Sequence, residues 1–215
     1  MRRIIKRSEP AFFKKWKNDF KDRFRTVYNP TFNDLNREEY RQVKSDLKAE
    51  LISEQYSLCC YCCKGIRHNG AQIEHFRPRN TFKINTVDYV NLHATCEGAS
   101  GINDHCGHKK GNWFDLKLTI SPLDPRCESL FEYTKDGHIL AANNNDNAIE
   151  TIKKLNLDSY LLYMGRFAAL EALDIFKEDF DDVKRTNLLL EFSTPDNGKL
   201  TPFCNIILYF LNQEI

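Results

Sequence analysis

No apolar run in this 215-residue chain approaches the roughly 20 residues that a membrane-spanning helix needs, so no membrane partner is expected. The opening stretch, Met1-Arg2-Arg3-Ile4-Ile5-Lys6-Arg7, lacks the apolar core of a secretory signal. A cytoplasmic protein is therefore the expectation. No internal repeat is visible, which gives no ground for a repeat architecture. Net charge is nearly absent too, 31 Lys and Arg standing against 30 Asp and Glu. What is present is the composition of a globular protein, 41% hydrophobic and 28% charged, on a chain long enough for one large domain or two small ones, which excludes disorder.

The near-zero total hides a polarity. Residues 1–63 carry 14 basic and 9 acidic side chains, residues 64–126 carry 9 and 6, and residues 127–215 carry 8 and 15, giving +5, +3 and −7. The basic half can attract phosphates and the acidic half repels them; two solvated faces of opposite sign would give the same counts.

Aromatic residues at helical spacing, Phe12, Phe13, Trp16, Phe20 and Phe24, predict a helix over 8–27 with Ser8 as cap and Pro10 in its first turn. Asn29-Pro30 breaks it, and Asn33 or Asp34 is placed to start a second helix over about 35–55. The segment 72–76 reads as a short strand and 89–92 as a second element after a loop opened by Arg77-Pro78-Arg79. Segments 118–122, 130–133 and 138–141 read as strands, the last two joined in a hairpin through Asp136-Gly137. After Asn143-Asn144-Asn145, apolar residues at helical spacing over 149–176 and 180–192, then an apolar segment 203–211, predict a helical C-terminal region.

Eight cysteines in a chain without an export signal, four of them within Cys59-Cys60-Tyr61-Cys62-Cys63, point to metal ligation over a disulfide framework. A Cys-x-x-Cys turn presents two thiolates from one bend, as tetrahedral zinc requires. Two registers are open, Cys59/Cys62 and Cys60/Cys63. Cys96 and Cys106 supply a second pair across a nine-residue loop, where His105 competes as a ligand. Cys127 and Cys204 read as buried free thiols.

Between the cysteine pairs lie Glu74-His75 and Asn91, and after them Gly107-His108-Lys109-Lys110-Gly111. This order resembles an HNH nuclease. The resemblance implies an α+β fold: an HNH ββα-metal nuclease core with a structural zinc, flanked by N-terminal and C-terminal helices. The corresponding division is 1–56 as an N-terminal helical region, 57–142 as the zinc-stapled core with its following hairpin, and 143–215 as a C-terminal helical region. It also implies the roles. His75 would be the general base and Asn91 the brace that aims it. Glu74 would ligate a catalytic Mg²⁺ or Mn²⁺, and Lys110, Arg77 and Arg79 would contact the nucleic-acid backbone. Adjacent strand residues face opposite ways, so joint action of Glu74 and His75 calls for a twisted or bulged strand.

Where HNH relatives read Cys-Asn-x-x-Lys or Cys-His-x-x-Lys, this chain has Gly107 after Cys106; His108 is the nearest candidate for the third position, with Asn112 in reserve. The common Cys-x-Tyr-Cys of these nucleases favours the Cys59/Cys62 register, with Cys96 and Cys106 completing the Zn²⁺ site. The wider order, Ile4, Lys6 and Pro10, then Ile73-Glu74-His75-Phe76-Arg77-Pro78, Tyr89-x-Asn91-Leu92 and Leu155-Asn156-Leu157, is similar to the HNH subunit of Septu-type and retron-associated antiphage systems, the PtuB family. That similarity implies a metal-dependent endonuclease acting on DNA or RNA and an ABC-type ATPase partner, PtuA. A non-catalytic zinc-stapled nucleic-acid-binding module and an interaction subunit are the alternatives from other classes.

Overall fold

The computed structural model describes residues 1–173, 176 and 181–213, and the fold is α+β, helices around two small antiparallel strand pairs. Helix α1 (Ala11–Phe24) buries Phe13, Trp16 and Phe20, and Trp16 meets the rings of Phe13 and Tyr40. It begins after Pro10, whose carbonyl accepts from the Phe13 and Lys14 amides, so Ser8 is not the cap. It stops where Arg25 turns left-handed, at φ 48°. The expected long second helix is divided. Thr31 and Asp34 form a reciprocal capping box that starts a one-turn helix, α2 (Phe32–Leu35). A 3-10 turn at Glu38–Tyr40 then leads into α3 (Arg41–Glu54).

The central pair is β1 (Ala71–His75) against β2 (Leu92–Cys96), in register from Ala71 opposite Cys96 to His75 opposite Leu92. A 3-10 turn at Tyr89–Asn91 feeds β2, so 89–92 is mostly turn and the strand runs on to Cys96. The middle of β2 is tied to two neighbours. Gln55, just past α3, donates through Nε2 to the carbonyls of Leu58 and Ala94 and accepts the Ala94 amide at Oε1. The Cys60 amide donates to Ala94 as well.

The N-terminal segment is locked on by a buried ion pair. Lys6 Nζ lies 2.7 Å from Glu54 Oε1 and 2.6 Å from the Leu92 carbonyl, over the Tyr89 ring. Glu54 Oε2 accepts the Tyr89 hydroxyl and the Arg7 amide. A carboxylate taken out of water this completely must be saturated with donors, and this one is.

After the short α4 (Cys106–Lys110) the chain makes turns, not a strand, over 118–122: the Ile120 amide and the Leu118 carbonyl are bonded by Thr151 Oγ1 instead of a neighbouring strand. The expected hairpin forms as β3 (Phe131–Tyr133) and β4 (Ile139–Ala141), with Gly137 at φ 90° in its loop. Helices α5 (Asp146–Leu155), α6 (Tyr160–Glu171), α7 (Asp182–Ser193) and α8 (Cys204–Leu211) follow. The helical span expected over 149–176 is interrupted by left-handed Asn156; residues 174–175 and 177–180 lie outside the described residues. Helix α8 rests on α6, α7 and β3. Arg166 of α6 is buried, donating to the carbonyls of Gly137 and Leu157 and pairing with Asp158. Asn156 donates to the carbonyls of Ile102 and Asp104, so a residue of the C-terminal region holds the loop between Cys96 and Cys106.

Candidate active site and metal centre

Four thiols converge under the central strand pair. One ligand atom from each of Cys59, Cys62, Cys96 and Cys106 lies within 4.8 Å of the others, and all four are buried. The Cys62 and Cys96 sulfurs are 3.9 Å apart. Zinc–sulfur bonds of about 2.3 Å put the corners of a tetrahedron roughly 3.8 Å apart, so the donor set and its size fit zinc. The cluster contains the Cys59/Cys62 register. Cys60 and Cys63 are buried outside it, as is His105, whose Nδ1 lies 2.7 Å from the Asn103 carbonyl. A hydrogen bond from Cys106 pulls the Cys96 thiol down to about 6, toward the thiolate form that metals take.

His75 ends β1 and is buried. Its Nε2 lies 2.9 Å from the Thr86 carbonyl, and a carbonyl only accepts, so Nε2 carries the proton and Nδ1 the lone pair. Nδ1 has no hydrogen-bond partner among the described residues. The ring meets Phe32 edge-on, centroids 4.6 Å apart. Burial, with the positive charges of Arg79 and Lys110, pushes its pKa down to about 4. The ring is therefore neutral at physiological pH.

Asn91 is buried in the turn before β2. Its Oδ1 accepts the Arg77 amide at 2.7 Å and its Nδ2 donates to the Arg77 carbonyl at 3.1 Å, while its own carbonyl accepts from Phe76. The backbone that leaves His75 is thus clamped at both the amide and the carbonyl of Arg77.

Glu74 points to the other face of β1, which pairs with β2 without a bulge. Its Oε1 accepts from the Tyr61 hydroxyl at 3.0 Å and pairs with Lys110 Nζ at 2.8 Å. Burial raises its carboxyl above the usual range despite the pull of Lys110. Helix α4 explains the arrangement. Gly107 and Lys110, three residues apart, share the face toward Glu74, and a Cβ on Gly107 would come within 2.6 Å of Glu74 Oε2. His108 is about 100° further round; it is exposed and bonded to Asp104 at 2.8 Å. Glu74 and His108 therefore have no partner in common. Lys110, expected to contact the nucleic-acid backbone, is buried and also donates to the His75 carbonyl at 3.0 Å.

Arg77 and Arg79 are exposed beyond β1, and the guanidinium of Arg79 lies over Phe32. Asn112 is exposed, bonded to Asn80. Three contributors escaped the sequence reading. The Thr86 carbonyl leaves no side-chain signal, Phe32 reads as one more core aromatic, and Tyr61 served there only to mark the cysteine register.

No protein-family model matches the chain. Over 151 residues it is 31% identical to the "Retron Vc95 putative HNH endonuclease" of Vibrio cholerae serotype O1 biovar El Tor, covering 66% of this chain and 72% of that one. The chain belongs to the HNH endonuclease family. Membership of that family supports an HNH nuclease core within the α+β fold, and the four-cysteine cluster could hold zinc. HNH nucleases are metal-dependent. The donor chemistry on the face of β1 opposite His75 suits a hard ion: Glu74 Oε2 has no partner among the described residues, and Mg²⁺ is commonly held by one or two carboxylates together with substrate phosphates and waters.

Proposed function

We propose that this protein is a nuclease that hydrolyses phosphodiester bonds, with His75 as the general base. The observation that carries the reading is the fixed tautomer of His75. With Nε2 bonded to Thr86, the neutral ring offers Nδ1 to take a proton from an attacking water. Asn91 holds the peptide beyond it, keeping the ring's reach constant. Glu74, with Oε1 fixed by Tyr61 and Lys110, would present Oε2 to a Mg²⁺ or Mn²⁺ ion. When bound, such an ion stabilises the negative charge developing on the scissile phosphate and leaving oxygen. Arg77 and Arg79 are the nearest exposed cations for the flanking phosphates.

The zinc cluster is structural in this reading, a four-thiolate site with no open position. A relative named for a retron is in keeping with a role in a defence system, and the resemblance to PtuB-type nucleases adds an effector role beside an ABC-type ATPase such as PtuA that would restrain the nuclease. The acidic C-terminal region, with Leu161, Val183 and Leu190 exposed, suits protein contact better than contact with phosphates. The deciding experiment is cleavage of plasmid DNA and of RNA by the purified protein with Mg²⁺ or Mn²⁺, alone and with the ATPase. Cleavage that His75→Ala abolishes is expected; a wild-type rate in that variant would remove the assignment.

A further inference from the structure

Helix α3 sorts its charges. Arg41, Lys44 and Lys48 follow one another at helical spacing, three and four residues apart, while Asp46, Glu50 and Glu54 form a separate stripe more than a quarter-turn away. The basic stripe does not end in free solvent. It borders a groove of about 500 Å³ between α3 and β1, lined by Phe32, Arg41, Lys44, Lys48, His68 and Ile73 among others, with no carboxylate in its wall.

Two features connect this groove to the catalytic centre. Ile73 and His75 are two residues apart on β1 and so share one strand face. Phe32 closes the groove's inner end: one edge of its ring meets His75, and Lys44 and Arg79 both stand over it. The cations therefore continue from α3 to the base without interruption. They are also poorly neutralised. Arg41 pairs with exposed Glu38, but Lys44 donates only to the neutral Asn36, and Lys48 has no ion-pair partner among the described residues. Desolvation and the nearby charges of Lys48 and Arg79 lower the pKa of Lys44, a sign that like charges are crowded here.

We propose that the groove between α3 and β1 holds the phosphodiester backbone of the nucleic acid presented to His75, with Lys44 and Lys48 as phosphate contacts. This deepens the nuclease reading and rests on it. An uninterrupted row of cations held together against their mutual repulsion is the arrangement a polyanion would relieve, and releasing its counterions is the source of salt-dependent affinity.

The test uses the full chain carrying His75→Ala, so that bound oligonucleotide is not consumed. Fluorescence anisotropy with a labelled 20-mer duplex and with its single strand is followed from about 50 to 200 mM salt. With whichever probe binds the parent, Lys44→Ser/Lys48→Ser should weaken binding at least tenfold and reduce the slope of log K against log salt by about 1.4 for the single strand or about 1.8 for the duplex, since each phosphate contact contributes roughly 0.7–0.9. Lys44→Arg/Lys48→Arg should keep the slope, and zinc content shows that each variant is folded. Lys14→Ser/Lys15→Ser, on the exposed side of α1, should leave it unchanged. A parent slope retained by the folded serine pair, or an equal loss from the α1 pair, overturns the groove while leaving the nuclease reading in place. A parent that binds neither probe, in a protein whose His75 form cleaves nothing, overturns both.

Discussion

Lys110 reaches Glu74 from the far end of α4, its Nζ 2.8 Å from Oε1, and its side chain is only 1% exposed. Removing one partner of such a pair leaves an uncompensated buried charge, which costs about 3–5 kcal/mol. Lys110→Met should lower unfolding stability by that amount in a denaturant titration. Glu74→Gln/Lys110→Met should recover most of it, because the Tyr61 hydroxyl still has an amide oxygen to bond. A single variant as stable as wild type would mean that the pair is held apart in solution.

The tautomer of His75 predicts a pH profile. A base whose folded pKa lies at about 4 is already deprotonated well below neutrality, so kcat/KM should hold down to about pH 5 and fall through a midpoint near 4, where an unperturbed His would give about 6.5. The stability term has the same sign. The unfolded chain takes up a proton on this His near pH 6.5 and the folded chain does not until about 4, so stability is lost as pH falls through that window. Zinc content measured at each pH separates this limb from loss of metal. A midpoint at or above 6.5 with zinc retained would rule out the buried neutral base.

The cysteine cluster predicts unequal consequences for neighbouring residues. Cys96→Ser should lose the zinc and destabilise the strand pair, since metal binding and folding are coupled in such sites. Cys60→Ser should retain a full equivalent. Metal analysis after purification without chelator checks both, and an equal loss from the two would reject the Cys59/Cys62 register.

Asn91 can be dissected by atoms. Asn91→Asp keeps the acceptor for the Arg77 amide but loses the donor to the Arg77 carbonyl, and Asn91→Ala loses both. Each net hydrogen bond contributes about 0.5–1.5 kcal/mol, so stability should fall stepwise and cleavage with it. Full cleavage by Asn91→Ala would separate the clamp from catalysis.

Gly107 stands where the HNH resemblance implies Asn or His. A methyl group there would come within 2.6 Å of Glu74 Oε2 and 2.9 Å of Thr95 Cγ2. Gly107→Ala should therefore destabilise by roughly 1–3 kcal/mol, as overpacking does, and a thermal melt equal to wild type would show that Glu74 yields easily.

The parts of the structure visible in the sequence were those encoded locally. The Cys-x-x-Cys spacing, the aromatic stripe of α1 and the Asp136-Gly137 hairpin each carry their signal within a few residues. Strand β2 did not, because Leu92, His93, Ala94, Thr95 and Cys96 are all buried, which erases the alternation that marks a half-exposed strand. The 118–122 segment misled for the opposite reason: its β-branched residues suit a strand, but Thr151, some thirty residues on, satisfies its backbone. Lys110 reads in the sequence as a backbone contact for nucleic acid because its buried partner, Glu74, lies 36 residues earlier. The α4 face explains the third HNH position: once Gly107 and Lys110 face Glu74, His108 must face elsewhere. The C-terminal residues also enter the cysteine region, through Asn156. A truncation near 145 would therefore remove part of the metal site's support along with any docking surface, and interface mapping calls for surface substitutions in the intact chain.

Gln55 has a consequence outside catalysis. A two-stranded sheet has an unpaired backbone edge on each strand, and such edges are templates on which other chains can stack and aggregate. The Gln55 carboxamide bonds both the amide and the carbonyl of Ala94, as a further strand's peptide group would, so the middle of β2 is sealed by a side chain. In Gln55→Ala the Cys60 amide would still hold the Ala94 carbonyl, but the buried Ala94 amide would lose its acceptor, so the variant's liability would appear as faster amide exchange at Ala94 before it appeared in activity.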